Sequence, residues 1–377
     1  FLQRGEPALI DKWARAEMAL AAGVDLVLEL PFSFACNSAP HFARGAVQSL
    51  NGLGVVDTLC FGSEAGEVCS LRTVAQLLVE HAADIDAGTR QLLRNGVSYP
   101  AARAEVLSAR APEVSAALVS SPNNILGIEY LKALLETSSP IEAFTILRRG
   151  AGYHSTDVTS PIASATGIRK RLSEGGPVGE FVPEACRHIL SQALDRGRSL
   201  DHDRLFSSLQ AFLLQEKETL SGIYQVEDGL AQRLVDAAMT ATSYADLTDA
   251  IKSRQWTLTR IQRILSYVLL QVSSVEMNSF LECGPLYLRL LGATEKGRQL
   301  LAGSRKKRSL PVISDPARAQ AVLRRFYSDR KDLGCLAERM LACDLRATRL
   351  YGLLQKNPVQ GHRNQDFFRE CLGVGKD

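Results

Sequence analysis

The sequence lacks several features that mark common classes of protein. Its eight cysteines include no CxxC pair, and none lies near a histidine at zinc-finger spacing, so we expect neither a metal site nor a disulfide framework. No apolar run reaches the length of a membrane span, and no basic segment followed by an apolar one opens the chain. These absences favour a cytoplasmic protein with reduced thiols and no membrane partner.

A strong excess of charge is also missing. The 377 residues carry 44 lysines and arginines against 41 aspartates and glutamates, and the net charge of +3 is too small to indicate nucleic-acid binding by itself. Hydrophobic residues make up 46% of the chain, which is ordinary for a globular protein. The length suits two domains.

Strand-like and helix-like segments alternate as far as about residue 175. The strand-like runs are 26–30, 55–61 and 141–147. Such alternation is typical of an α/β fold with a Rossmann-like parallel sheet. Because ligands bind at the carboxyl ends of parallel strands, we expect the loops that begin at Pro31, Gly62 and Arg148 to share one edge of that sheet.

The pattern changes near Gly175. Downstream, the segments with helical periodicity are 205–216, 227–240, 244–252, 257–272, 316–327 and 336–354. We therefore predict an α/β domain over residues 1–175 and an α-helical domain over residues 176–377.

Polar residues follow the predicted strands. Gly62 lets a ligand approach the backbone, although an ordinary turn is the commoner reason for such a glycine. Asn123 begins a helix and suits either a helix cap or a contact to a purine or ribose. Arg148 and Arg149 end the third strand, where guanidinium groups suit phosphate oxygens.

The segment 164–169, Ser-Ala-Thr-Gly-Ile-Arg, is the clearest signal for anion binding. Ser164 and Thr166 open a helix, so backbone amides and hydroxyls can face an anion, with Arg169 just behind. Ser164 and Arg169 are therefore candidates for stabilising a pyrophosphate leaving group. A serine N-cap beside a surface arginine is the alternative.

Two other groups of residues are weaker candidates. The opening loop, from Gln3 to Lys12, contains a glycine beside an arginine before a helix start and suits either phosphate binding or a capped, solvated loop. His154 and Asp157 lie close together in the sequence, but no serine-elbow motif completes a hydrolase triad.

Two basic stretches of the downstream half are candidates for contacts to an RNA backbone. They comprise Arg254, Arg260 and Arg263 along one predicted helix, and the run that contains Arg305, Lys306 and Lys307. Solvated surface is the alternative explanation for both.

Six motifs occur in an order that points to a known family. They are FLQRGEPA (1–8), KWAR (12–15), LELP (28–31), FGSE (61–64), PNNILG (122–127) and ASATGIR (163–169). TLTRIQRIL (257–265) and ATRLY (347–351) extend the match into the helical half. Together these motifs resemble bacterial tRNA(Met) cytidine acetate ligases, members of the nucleotidylyltransferase superfamily, over nearly the whole chain.

The resemblance implies an ATP-dependent, adenylate-forming ligase. The family activates acetate with ATP, releases pyrophosphate and passes the acetyl group to the N4 amine of the wobble cytidine in elongator tRNA(Met). By motif matching, the resemblance implies ATP contacts at Gly62, Asn123, Arg148 and Arg149, and a phosphate-binding signature at residues 164–169. Mg²⁺ is expected with the triphosphate, and no DNA partner is expected.

One family motif does not stand in this sequence. The family opens with a strand and a histidine-glycine-histidine motif that grips the ATP phosphates, whereas this sequence begins at Phe1 inside a loop. We therefore expect about 40 further residues upstream, about one βα unit. A fragment without them is expected to be unstable and inactive.

Two other functions remain open from the sequence. One is an adenylyltransferase that acts on a small cofactor precursor, and the other is an inactive RNA-binding fragment. The long helical domain argues against the first, because such enzymes are usually compact. Pyrophosphate release from ATP, with and without acetate, distinguishes the three.

Overall fold

The computed structural model describes residues 1–97, 99–111, 114–148, 163–214, 217–227, 229–253, 255–358 and 363–373. The chain forms two compact units. We call Phe1–Val55 with Glu184–Asp377 the discontinuous unit, and Val56–Pro183 the central unit.

The strands are β1 (Leu26–Glu29), β2 (Thr58–Ser63), β3 (Glu142–Leu147), β4 (Leu288–Ala293), β5 (Val312–Ile313) and β6 (Leu372–Gly373). The helices are α1 (Lys12–Ala21), α2 (Phe32–Ala35), α3 (Ala39–Leu53), α4 (Val68–Glu80), α5 (Ala82–Arg94), α6 (Tyr99–Arg110), α7 (Ala116–Ser120), α8 (Pro122–Glu136), α9 (Ala165–Ser173), α10 (Glu184–Asp195), α11 (His202–Leu213), α12 (Lys217–Ser221), α13 (Leu230–Thr240), α14 (Tyr244–Ile251), α15 (Leu258–Leu270), α16 (Ser274–Cys283), α17 (Glu295–Ser304), α18 (Pro316–Phe326), α19 (Lys331–Leu353) and α20 (Gln365–Phe368). None of the helices in the described ranges is both long and apolar enough to span a bilayer.

The central unit contains a parallel strand pair. β2 and β3 run in register from Thr58 opposite Glu142 to Ser63 opposite Leu147. α8 packs closely on β2 at Gly127. Any side chain at this position would overlap the ring of Phe61. The parallel pair and its long helical crossover confirm the predicted α/β class.

The discontinuous unit contains a second, mixed sheet. β4 pairs with β1 in antiparallel register, and with β5 and β6 in parallel register. The expectation that the loop at Pro31 shares one sheet edge with the loops at Gly62 and Arg148 is therefore wrong. β1 pairs with a strand more than 250 residues downstream, and an apolar run in the sequence does not identify so distant a partner.

The two compact units divide the chain differently from the predicted domain limits 1–175 and 176–377. The first 55 residues belong to one compact unit with the downstream half, not with residues 56–175. The cause is apolar packing: Phe32 and Phe34 of α2 are buried in the large helical core of the discontinuous unit. β4 was hidden from sequence reading because it carries Arg289, which is nonetheless fully buried.

Candidate functional site

The carboxyl ends of β2 and β3 bring Gly62 and Arg148 into contact. The Arg148 amide donates to the Ser63 carbonyl at 2.9 Å, which extends the ladder beyond β3. A Cβ at Gly62 would lie 3.3 Å from Cγ of Arg148, so the arginine stem crosses the glycine. The Arg148 side chain is exposed and forms no ion pair within the described residues. Its guanidinium group is available to an anion at the edge of the sheet.

Glu64 joins the loop after β2 to the start of α8. Its Oε1 accepts from Nδ2 of Asn123 at 2.6 Å, and its Oε2 accepts from the amide of Asn124 at 2.9 Å. In return, Oδ1 of Asn124 accepts from the amides of Glu64 and Ala65 at 2.9 and 3.0 Å. Glu64 thus caps the start of α8, and Asn123, which lies in the first turn of the helix, does not act as the cap.

These contacts keep Glu64 ionised. Burial alone would raise the pKa of the Glu64 carboxyl, but the hydrogen bonds from Asn123 and Asn124 lower it below its ordinary value. Sequence reasoning missed Glu64, because a glutamate after a strand carries no sign of which donors it meets across 60 residues of chain.

The start of α9 matches the alternative offered for residues 164–169. Ser164 is buried, and its Oγ accepts from the amide of Gly167 at 2.9 Å, so its hydroxyl oxygen serves as an N-cap. Arg169 is exposed, and its Nη2 lies 3.4 Å from Oγ1 of Thr166. Arg169 and Thr166 thus lie together on the first turn of α9.

Some predicted residues lie outside the described part of the chain. They are Arg149, His154, Asp157 and Arg254.

The opening loop is built into the discontinuous unit. Asp11 caps α1 and forms a buried, two-bond salt bridge with Arg198, at 2.6 and 2.8 Å. Lys12 lies 2.8 Å from both Glu29 and Asp366. A Cβ at Gly5 would overlap the backbone of α15. The loop therefore matches the alternative of a capped loop and not that of a phosphate site. The charges of Asp11 and Lys12 are, however, paired and buried instead of solvated.

A cavity of the discontinuous unit lies next to this loop. It has a volume of about 410 Å³, and its lining includes Phe32, Leu291 and Asp344. The carboxylate of Asp344 accepts from the Phe32 amide at 2.7 Å and from the Tyr287 hydroxyl at 2.5 Å. Because that carboxylate is already occupied by the protein, we assign it no ligand.

The predicted RNA-binding arginines of α15 are tied to the protein. Arg260 forms an ion pair with Glu227 at 2.6 Å. Arg263 is half-buried, its Nη1 donates to the Gln3 carbonyl at 3.4 Å, and burial lowers the pKa of its guanidinium group. The periodicity that placed them on one helix is confirmed, but their side chains point to local partners.

The run Arg305–Arg308 behaves differently. The side chains of Arg305, Lys306 and Lys307 are exposed and form no ion pair with described residues. The backbone is nevertheless fixed: the Arg308 amide donates to the Ser304 carbonyl, and the Ser309 amide donates to the Gly52 carbonyl, each at 2.9 Å. We call residues 305–308 the basic turn.

The basic turn lies in a segment of concentrated positive charge. Residues 294–331 contain eleven lysines and arginines against three aspartates and glutamates, whereas the whole chain carries a net charge of only +3. The sequence contains this signal, but reading the run 305–308 alone underestimates it.

Comparison with known proteins places the chain in a family. The HIGH Nucleotidyl Transferase family model matches residues 1–366. The protein called tRNA(Met) cytidine acetate ligase in Syntrophotalea carbinolica is 49% identical over 99% of this chain and 90% of its own length. Its namesake in Acetivibrio thermocellus is 38% identical over the same shares. Thermotoga maritima TmcAL, crystallised with alpha-thio ATP, matches with a TM-score of 0.88 and 32% identity over 99% of this chain and 90% of that one. The chain therefore belongs to the tRNA(Met) cytidine acetate ligase family of HIGH nucleotidyl transferases.

Proposed function

We propose that this protein activates acetate with ATP and transfers the acetyl group to N4 of the wobble cytidine of elongator tRNA(Met). The observation that carries the proposal is the 49% identity to a ligase of that name over 99% of this chain. The carboxyl edge of β2 and β3, where an exposed arginine without an ionic partner among the described residues lies beside a glycine, supports ATP binding in the central unit.

The reaction has two steps. An acetate oxygen attacks the α-phosphorus of ATP, the bond to pyrophosphate breaks, and acetyl-adenylate forms. The cytidine amine then attacks the acetyl carbon, AMP leaves with the bonding electron pair, and the amine loses a proton. Neither step needs a nucleophile from the protein, so positioning and charge stabilisation supply the catalysis.

The residues of the central unit suit these needs. Arg148 faces the phosphate chain with a cationic fork, and Gly62 lets the nucleoside approach the strand. Arg169 and the first amides of α9 stabilise negative charge as pyrophosphate departs. Thr166 stands beside Arg169 and orients it. Ser164 acts indirectly, by capping the helix that presents these groups.

Mg²⁺ enters with the triphosphate as part of the substrate. The described residues contain no cluster of three metal-ligating side chains. Glu64, the carboxylate that binds Asn123, already accepts N–H donors on both oxygens. Phosphate oxygens and water would be its ligands, as is common for Mg²⁺ bound to nucleotides.

The basic turn provides contacts for the tRNA backbone in the discontinuous unit. Its exposed cations form no ion pair with described residues, and its fixed backbone lowers the entropy lost when they bind phosphate. Arg260 and Arg263 are weaker candidates, because each already has a partner. We assign the reaction to the cytoplasm, in keeping with the eight free cysteines.

Pyrophosphate release tests the proposal. The full-length protein should release pyrophosphate from ATP only when acetate is present, and Arg148→Ala should slow this release about tenfold or more. Arg148→Lys keeps the charge but not the guanidinium fork, so its rate of pyrophosphate release should lie between the rates of the unchanged protein and of Arg148→Ala. Release that ignores acetate but responds to a phosphorylated cofactor precursor would favour a small-molecule adenylyltransferase instead.

A further inference from the structure

We propose that Glu64 is a positioning residue that fixes the amide of Asn123, so that the site selects a hydrogen-bond donor on the nucleoside. The inference rests on the proposed function, because it takes Asn123 as an ATP contact. It adds a residue and a source of nucleotide specificity to that site.

The argument begins with the chemistry of the two side chains. A carboxylate only accepts hydrogen bonds, whereas an amide has a donor end and an acceptor end. Nδ2 of Asn123 lies 2.6 Å from Oε1 of Glu64, so the donor end is held by the carboxylate. Oδ1 of Asn123 accepts no hydrogen bond from the described residues, and the side chain is half-buried.

Glu64 cannot give up this orientation easily. Its Oε2 accepts from the backbone amide of Asn124 at 2.9 Å, and that amide is fixed on the first turn of α8. The lowered pKa of Glu64 keeps both oxygens as acceptors at neutral pH. The amide of Asn123 therefore presents its oxygen, and not its nitrogen, away from Glu64.

The loop itself does not depend on the Glu64 side chain alone. Oδ1 of the buried Asn124 holds the backbone amides of Glu64 and Ala65, and Oγ of Ser63 accepts from the amide of Gly66 at 3.0 Å. These bonds persist when only the Glu64 carboxylate changes. A substitution there can thus change the amide of Asn123 without unfolding the loop.

The Asn123 carbonyl oxygen, which accepts no hydrogen bond within the described ranges, fits a donor on ATP. The 6-amino group of adenine and the ribose hydroxyls are such donors, whereas position 6 of hypoxanthine carries an oxygen that only accepts. An unmatched pair of acceptors at a desolvated contact lowers affinity markedly. The site should therefore prefer ATP to inosine triphosphate when the adenine amino group is the donor.

Glu64→Gln tests the inference. The side-chain oxygen of the introduced glutamine stays with the amide of Asn124, because that contact, at 2.9 Å, is shorter than the 3.3 Å contact of Oε1 with the backbone amide of Asn123. Its NH₂ group then faces the side chain of Asn123 and turns that side-chain amide over. Asn123 then offers a donor to the nucleotide. We expect ATP to bind about tenfold more weakly and inosine triphosphate to bind more tightly than to the unchanged protein. Equilibrium dialysis with ATP, inosine triphosphate and 2′-deoxy-ATP measures these affinities.

The controls separate the possible outcomes. Glu80→Gln, an exposed glutamate at the end of α4, should change none of the three affinities. If Glu64→Gln changes only the penalty for the missing 2′-hydroxyl, the donor is the ribose and the positioning role stands. If it weakens all three nucleotides equally, or none, the inference is overturned. Failure of the unchanged protein to bind ATP contradicts the proposed function itself, which is a different result.

Discussion

The two units use polar side chains in opposite ways. In the discontinuous unit, Asp11 and Arg198 are buried with their charges matched to each other. In the central unit, Arg148 lies exposed at the end of a strand and has no ionic partner among described residues. Burying an unpaired charge costs far more than leaving it in water, so buried charges are paired to maintain the fold. The exposed guanidinium group of Arg148 remains available for a ligand.

Each unit contains an exception. In the central unit, Arg103 and the buried Glu129 form a largely buried pair at 2.6 Å, which belongs to the packing of its helices. In the discontinuous unit, the basic turn is exposed and forms no ion pair with described residues. The difference therefore depends on the pairing of each group and not on the unit that contains it. Three experiments test this.

The largest effect is expected for the buried pair. Asp11→Ala removes the cap of α1 and leaves Arg198 buried without its partner. The free energy of unfolding should fall by about 3–5 kcal/mol, as for other broken buried pairs. Urea unfolding followed by circular dichroism measures it.

Two control variants sharpen this result. Glu295→Ala breaks an exposed pair with Arg298 and should cost less than about 1 kcal/mol. Arg148→Ala should leave stability nearly unchanged while it slows pyrophosphate release. Equal losses of unfolding free energy for Asp11→Ala and Glu295→Ala would contradict the claim that buried pairs stabilise the fold more than exposed pairs do.

A smaller, pH-dependent effect is expected for Asp344. Burial, with a contribution from Glu29, raises the pKa of Asp344 to about 7. An unfolded aspartate has a pKa of about 3.9, so between these two values the folded state holds a proton that the unfolded state has lost. The stability that this proton contributes is fully present below the unfolded pKa and is lost as the pH rises through the folded pKa.

Asp344→Asn should remove this dependence. The amide keeps an acceptor for the Phe32 amide and stays neutral at every pH. Between about pH 5 and about pH 8, the free energy of unfolding of the variant should fall less than that of the unchanged protein, by about 2 kcal/mol. Asp329→Asn, at an exposed site, is the control. Parallel pH curves for Asp344→Asn and the unchanged protein would contradict the prediction.

The smallest effect is expected for the basic turn. Replacing Arg305, Lys306 and Lys307 by glutamine should weaken tRNA binding about three- to tenfold at moderate salt and reduce the slope of log affinity against log salt. Affinity for ATP should not change. Filter binding over a range of salt concentrations measures both quantities.

The arginines of α15 supply the comparison for that experiment. Arg260→Gln removes a cation that already pairs with Glu227, so it should alter the salt slope less than the triple replacement does. If Arg260→Gln changes the salt slope more than the triple replacement does, an ion pair inside the protein does not prevent a phosphate contact. The main tRNA contact would then be assigned to α15 instead of the basic turn.

Several parts of the fold follow from local sequence. The helix cap at Ser164 and the strands that end near Gly62 and Arg148 agree with the structure, because capping and apolar runs depend on neighbouring residues. The pairing of β1 with β4 does not follow in this way. Strand partners are chosen by long-range packing, which a run of apolar residues does not encode.

The candidate site shows the same division. The sequence by itself determined that glycine, asparagine and arginine follow strands or begin helices, since these positions depend on local propensity. Only the tertiary structure decided that Asn124 holds the loop while Asn123 turns its oxygen outward, and that Arg263 is half-buried while Lys306 is exposed. Two adjacent asparagines, or an arginine and a lysine, are chemically alike in a sequence. Their roles diverge because a side chain's partners are set by what the fold brings next to it.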